Sequence, residues 1–125
     1  MSNKTTPRPI TLYGIANCDT VKKSRAWLDA HERPYAFHDF KKQGLAPALL
    51  DHWIARVGWE KLLNRKGTTW RRLDATAQAA VQDAASARAL MLAQPSIIKR
   101  PVVQWGDGAA TTVTVGFDAA AWPSV

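Results

Sequence analysis

The sequence predicts one α/β domain built on a mixed four-stranded sheet, and three features carry this prediction. A strand, a helix and a second strand follow one another in the first third of the chain. A helical block comes next, and two strands around a Gly-Asp-Gly turn lie near the end. Strands connected through a helix run parallel and strands of a hairpin run antiparallel, so the sheet is expected to be mixed.

The first elements surround the only cysteine. "ITLYGI", residues 10–15, is short, apolar and rich in β-branched residues, which predicts a buried strand. From Asp19 the pattern becomes helical, with Val21, Leu28 and His31 expected on the buried side. "YAFHDF", residues 35–40, alternates between apolar and polar side chains and predicts the second strand. These three elements form a βαβ unit.

Helices are predicted through the middle of the chain. The first begins near Pro47 and ends at Gly58, and "WEKLLNRKG" predicts a short helix closed by Gly67. Residues 76–94 are rich in alanine and predict a longer helix that Thr76 caps, with a break near Ser86.

The last elements return to the sheet. Strands are predicted over Val102 to Trp105 and over Thr112 to Val115, and Asp118 could cap a final short helix. The core of the domain is therefore expected in residues 10–44 and 95–125, with a helical insertion over 45–94, all within one domain of residues 1–125.

Size and composition narrow the classes of protein. A chain of 125 residues that is 46% hydrophobic suits one domain with one core. The sequence has neither a long apolar run nor the apolar stretch of a signal peptide, and residues 1–9 form a polar lead-in, so no membrane segment is expected. One cysteine cannot form an internal disulfide, which favours a reducing cytoplasm.

The charge indicates an anionic partner. Seventeen Lys and Arg residues against ten Asp and Glu residues give a net charge of +7. Residues 61–72, "KLLNRKGTTWRR", carry five basic side chains and no acidic one. This stretch is either a solvated basic face or an anion site built from one or two arginines. Direct nucleic-acid binding is not expected, because no signature of a nucleic-acid-binding fold accompanies the charge.

Cys18 lies at the junction between the first strand and the first helix. If the helix begins at Asp19, unpaired backbone N–H groups and the positive end of the helix dipole favour the thiolate form of Cys18. The alternative is a free cysteine that only packs. His31, His38 and His52 have no metal-ligand spacing with Cys18, so no metal site is expected.

"KRPVV" is the second informative stretch. Pro101 cannot donate a hydrogen bond to the sheet, so it marks an edge, the first residue of a strand or a cis turn. Arg100 either follows that turn into a site or faces solvent.

"YGIANCDTVKKSRAWL", "LLNRKGTTWR" and "PSIIKRPVV", in this order and spacing, resemble the ArsC-like family of the thioredoxin fold. The family includes arsenate reductases, Spx-type transcription regulators and YffB-type proteins, and the resemblance is nearest to the YffB type. It implies a thioredoxin-like, or glutaredoxin-like, fold. It also implies that Cys18 is catalytic, that Arg65 and Arg100 bind the thiolate or an anion, and that Pro101 is the cis-proline.

The sequence departs from two of these groups. Arsenate reductases of this type carry a third arginine in the last strand, where Gly116 stands here, and this glycine should leave room beside the site. Spx-type regulators often carry Cys-x-x-Cys, whereas Val21 occupies the second position here.

The resemblance to YffB-type proteins implies a glutathione-dependent thiol reductase with glutathione as co-substrate and no tightly bound cofactor. A protein with a single cysteine needs an external thiol to resolve the mixed disulfide that this cysteine forms. Glutaredoxin is a further candidate partner. Two alternatives stay open. One is an arsenate reductase coupled to glutathione or glutaredoxin, and the other is an Spx-like adaptor without enzymatic activity.

Overall fold

The computed structural model describes residues 9–106, 111–118, 120 and 122. The strands are β1 Ile10–Gly14, β2 Ala36–Asp39, β3 Val102–Trp105 and β4 Thr112–Val115. The helices are α1 Asp19–Ala30, α2 Phe40–Gln43, α3 Pro47–Val57, α4 Trp59–Leu62, α5 Thr68–Arg72, α6 Ala75–Ala79 and α7 Ala84–Ala93. A 3₁₀ turn, Pro95–Ile97, joins α7 to the segment before β3.

The four strands form one mixed sheet in the order β2-β1-β3-β4. β1 and β2 are parallel, while β1 with β3 and β3 with β4 are antiparallel. The predicted mixed four-stranded sheet is therefore confirmed. The carboxyl end of β1 and the amino end of β3 lie at the same end of the sheet, because Tyr13 pairs with Val102.

Hydrophobic residues cover both faces of the sheet. Alternate strand residues point to opposite faces, so Leu12 packs against α1 whereas Tyr13 packs against the helices that follow β2. Trp53 of α3 is fully buried on that second face, and its indole N–H donates to Oε1 of Gln104 at 2.8 Å. The helical block is thus anchored directly to the sheet.

The alanine-rich stretch differs from its prediction. The helix predicted over residues 76–94, with Thr76 as its cap and a break near Ser86, is interrupted a few residues earlier, between α6 and α7. The caps are Asp74 and Asp83, whose carboxylates accept hydrogen bonds from first-turn N–H groups. Ser86, where the sequence predicts a break, instead completes a capping box with Asp83.

Three smaller predictions are wrong. The second strand ends at Asp39, and Phe40 begins α2 rather than extending the strand. His31 is exposed at the end of α1, although Val21 and Leu28 are fully buried as predicted. Gly67 does not close α4 but precedes a further short helix, α5.

Part of the prediction falls outside the described residues. Residues 1–8, most of the Gly-Asp-Gly turn and most of the final helix predicted after Asp118 belong to this part. In the ranges that are described, no helix is both long and apolar enough to cross a membrane.

Candidate functional site

Cys18 occupies the N-cap position of α1. Its backbone is extended, and its carbonyl accepts a hydrogen bond from the N–H of Lys22 at 2.9 Å. The thiol is free and partly exposed. The only cysteine therefore lies beside the unpaired first-turn N–H groups of a twelve-residue helix, as the sequence predicts.

A glycine brings the end of β1 close to α1. A Cβ atom on Gly14 would lie 2.7 Å from Cγ2 of Val21, a distance that real Cβ atoms do not tolerate. A larger residue at position 14 would push the helix from the strand. This close packing holds the loop that carries Cys18 against the end of the sheet.

The cis peptide bond Arg100–Pro101 lies at the same end of the sheet. Val102, the first residue of β3, pairs with Tyr13, so the chain enters β3 where the Cys18 loop leaves β1. The carbonyl of Pro101 accepts the N–H of Gly116 at 2.8 Å. Cys18, Pro101 and Gly116 thus belong to one end of the sheet.

A short antiparallel bridge joins the two arginine-bearing segments. Leu63 pairs with Ile98, the N–H of Asn64 donates to the carbonyl of Ile97 at 2.9 Å, and the N–H of Lys99 donates to the carbonyl of Leu62 at 2.7 Å. Positions 65 and 100 each lie next to this bridge. The structure therefore brings the Arg65 segment to the Arg100 segment across about 35 residues of intervening chain, a scale typical of non-local contacts.

Arg65 is held by two aromatic rings. Its guanidinium carbon lies 5.7 Å from the ring centre of Trp59 and 5.8 Å from that of Trp70. Both contacts are cation–π interactions, which orient a guanidinium without using its N–H donors. Arg65 can therefore still bind an anion through those donors.

Arg100 is held by one hydrogen bond. Its Nη1 donates to the carbonyl of Ser96 at 2.7 Å, and the hydroxyl of Ser96 forms a 3.0 Å hydrogen bond with that of Thr69. Nε of Arg100 is buried and has no hydrogen-bond partner among the residues that the structure describes. In the part of the chain described, no hydrogen bond or ion pair joins Cys18 to Arg65 or Arg100. An anion placed between the thiol and the arginines is one way to use these donors.

Asp39 is a buried acid near Cys18 that the sequence analysis missed. Its Oδ2 accepts the N–H of Ala16 at 3.3 Å, and its Oδ1 accepts the N–H of Lys41 at 2.8 Å. Burial alone would raise the pKa of Asp39, but N–H groups of Lys41, Ala16 and Lys42 together lower it. Asp39 therefore fixes the Cys18 loop to the end of β2. The available signal was an acid at the carboxyl end of a predicted parallel strand.

Replacing Asp39 with asparagine is expected to destabilise the protein in a pH-dependent way. Hydrogen bonds to a charged group are worth about 1.5–3 kcal/mol each, so the melting temperature at pH 7 should fall by roughly 5–10 °C. Because the folded-state pKa is lowered, this stabilisation is complete above about pH 4 and is lost as pH falls further.

Thermal unfolding from pH 7 to pH 3 tests this expectation. The difference between wild type and Asp39→Asn should shrink below about pH 4. Asp29→Asn, which changes an exposed carboxylate on α1, is the control and should change the melting temperature little at any pH. A difference for Asp39→Asn that persists undiminished at pH 3 would contradict a role for its charge.

The space beside Gly116 differs from the prediction. Gly116 has a φ of +83°, and a Cβ atom on it would lie 3.3 Å from Cε of Lys99. The end of the Lys99 side chain thus lies where the sequence predicts open space. A side chain at position 116 would be strained and would contact Lys99.

The chain matches a known protein family. A model of the ArsC family matches residues 13–125, which include the Cys18 loop, both arginine segments and β4. The chain belongs to the ArsC family. In the described ranges, this ArsC-family protein has no group of three or more His, Cys, Asp or Glu side chains that could hold a metal ion.

Solved structures of similar proteins agree with this fold. The YFFB protein is 49% identical, with a TM-score of 0.81 over 90% of this chain and 94% of its own. An arsenate reductase (ArsC) related protein from Brucella melitensis is 50% identical, with a TM-score of 0.73 over 93% of this chain and 92% of its own. A relative found by sequence, an uncharacterised protein of Haemophilus influenzae, is 39% identical over 94 residues, which are 75% of this chain and 82% of that protein. The predicted thioredoxin-like ArsC fold is confirmed, and a YFFB protein is among the similar structures.

Proposed function

We propose that this ArsC-family protein is a glutathione-dependent thiol reductase that uses Cys18 as its single reactive thiolate. The observation that carries the proposal is the position of the only cysteine. It is partly exposed at a helix N-terminus, at the end of the sheet where the cis bond before Pro101 lies. Thiolates at helix N-termini are the reactive form of cysteine in many redox proteins.

The reaction proceeds in two exchanges. In the first, the Cys18 thiolate attacks the glutathionyl sulfur of a mixed disulfide, the disulfide bond breaks, and the other sulfur leaves and takes up a proton. In the second, the thiolate of a free glutathione attacks the Cys18–glutathione disulfide and releases Cys18 and oxidised glutathione. The substrate sulfur is reduced, and two glutathione sulfurs end in one disulfide.

Arg65 and Arg100 bind glutathione carboxylates in this proposal. A guanidinium offers five N–H donors in a planar fork that matches a carboxylate. Arg100 also has a buried donor, Nε, that finds no partner within the described ranges. Glutathione is anionic, which fits the net charge of +7. We place the protein in the cytoplasm, where glutathione is abundant, with glutaredoxin as an alternative source of the resolving thiol.

Arsenate reduction is the second candidate function. It is favoured by the relative from Brucella melitensis, which is 50% identical and named as related to arsenate reductase. In this reaction the same thiolate would attack arsenic instead of sulfur. Gly116, whose positive φ strains any side chain and whose Cβ would contact Lys99, offers no third arginine to hold the oxyanion.

Turnover of two substrates by the purified protein separates these candidates. Glutathione is supplied in both assays, with a small glutathione mixed disulfide in one and arsenate in the other. We expect steady turnover of the disulfide and, because one charge-assisted contact is missing, at least about tenfold lower turnover of arsenate. Robust arsenate reduction without disulfide turnover would overturn the proposal in favour of the second candidate.

A further inference from the structure

A cleft lies between the Cys18 loop and the segment that leads to Arg100. Its volume is about 320 Å³, and it is lined by Ile15, Phe40 and Lys41 on one side and by residues 93–96 on the other. Small-molecule sites begin at roughly this size. Ile15 lies three residues before Cys18, and the carbonyl of Ser96 accepts the hydrogen bond from Arg100. The cleft therefore lies at the end of the sheet that carries the Cys18 loop, next to the segment that holds the Arg100 side chain.

The lining of the cleft defines the chemistry of its occupant. Ile15, Phe40, Ala93 and Pro95 supply apolar surface, and the lining residues that the structure describes include no carboxylate. Among the described residues that line the cleft, Lys41 is the one that carries a charge. Within the described ranges, its ammonium forms no hydrogen bond or ion pair. The hydrogen bond between Lys41 and Asp39 is donated by the backbone N–H of Lys41. The cleft suits an apolar group that ends in a negative charge.

We propose that this cleft binds the non-glutathione half of the disulfide substrate, and that this half is an apolar thiol bearing a carboxylate that pairs with Lys41. The inference rests on the proposed function, in which Arg65 and Arg100 take the glutathione half. When Cys18 attacks the glutathionyl sulfur, the disulfide bond breaks. The group in the cleft then leaves as a thiol after taking up one proton.

Three mixed disulfides of glutathione test the proposal. Their second halves are 6-mercaptohexanoate, 6-mercaptohexanol and 6-aminohexanethiol, which share one alkyl chain and nearly the same leaving thiol and differ in the terminal charge. An exposed lysine–carboxylate pair is worth roughly a two- to fivefold change in affinity. We expect kcat/KM to be highest for the acid, intermediate for the alcohol and lowest for the amine. The difference between the three substrates should lie in KM.

Variants assign this preference to Lys41. Lys41→Met should remove the advantage of the acid and leave the alcohol unchanged. Lys23→Met, which removes an exposed charge on α1 outside the cleft, should keep the advantage. If wild type turns over all three disulfides equally, or if Lys23→Met has the same effect as Lys41→Met, the cleft is not the subsite. If none is turned over, the proposed function itself fails.

A second variant tests the apolar part of the cleft. Ala93→Phe adds a ring at the end of α7, where residue 93 lines the cleft and is exposed, so folding should not suffer. We expect kcat/KM to fall several-fold for all three hexyl disulfides and to stay unchanged for the glutathione mixed disulfide of methanethiol. An equal loss for the methyl substrate would overturn the proposal, because that substrate has no chain to reach the cleft.

Discussion

Replacing Cys18 with serine is expected to abolish glutathione-dependent disulfide reduction, with a loss in kcat/KM on the order of a thousandfold or more. A serine hydroxyl is not ionised at neutral pH and forms no disulfide, so neither exchange step can occur. The chain contains no second cysteine that could substitute. Turnover is measured by coupling the formation of oxidised glutathione to NADPH consumption through glutathione reductase.

Two controls separate lost chemistry from lost structure. Cys18 is partly exposed, and oxygen is only slightly smaller than sulfur, so the melting temperature of Cys18→Ser should stay close to that of wild type. Mass spectrometry after incubation with oxidised glutathione should find one added glutathionyl group on wild type and none on the variant. Substantial turnover by a well-folded Cys18→Ser protein would remove Cys18 from the mechanism.

Much of the fold could be predicted from local sequence signals. The βαβ unit and the hairpin strands follow from apolar patterns of the expected period, and their connections determine which strands are parallel. The boundary between α6 and α7 was harder to predict, because alanine favours helix throughout residues 76–94 and leaves no local signal for the interruption. Only Asp83, with Ser86 three residues later, marks the start of α7.

Contacts between segments that are distant in the sequence were harder to predict. Arg65 and Arg100 were identified by resemblance to a family, but their segments meet through the bridge of Leu63 with Ile98, which no local pattern predicts. The space beside Gly116 was predicted wrongly for the same reason. Whether a glycine leaves open space depends on which side chain lies over it. Here that side chain belongs to Lys99, in a different segment of the chain from β4 and Gly116.

Replacing Arg100 with alanine is expected to lower kcat/KM for disulfide reduction by roughly 10- to 100-fold, because a charge-assisted hydrogen bond contributes about 1.5–3 kcal/mol. Among the described residues the buried Nε has no hydrogen-bond partner, and a glutathione carboxylate that reaches this guanidinium would satisfy it. Arg100→Lys should recover only part of the loss, since lysine keeps the charge but lacks the planar fork.

Arg88→Ala is the matched control for Arg100→Ala. It removes the same charge from an arginine whose Nε donates to Asp51 at 2.6 Å on the surface, between α7 and α3. Its kcat/KM should stay within about twofold of wild type, because exposed ion pairs contribute little. Arg100→Ala also removes the hydrogen bond to the Ser96 carbonyl and should cost about 1 kcal/mol of stability. A lowered melting temperature with unchanged kcat/KM would make Arg100 a purely structural residue, whereas the expected loss of kcat/KM at a temperature where both variants are folded assigns it to substrate binding.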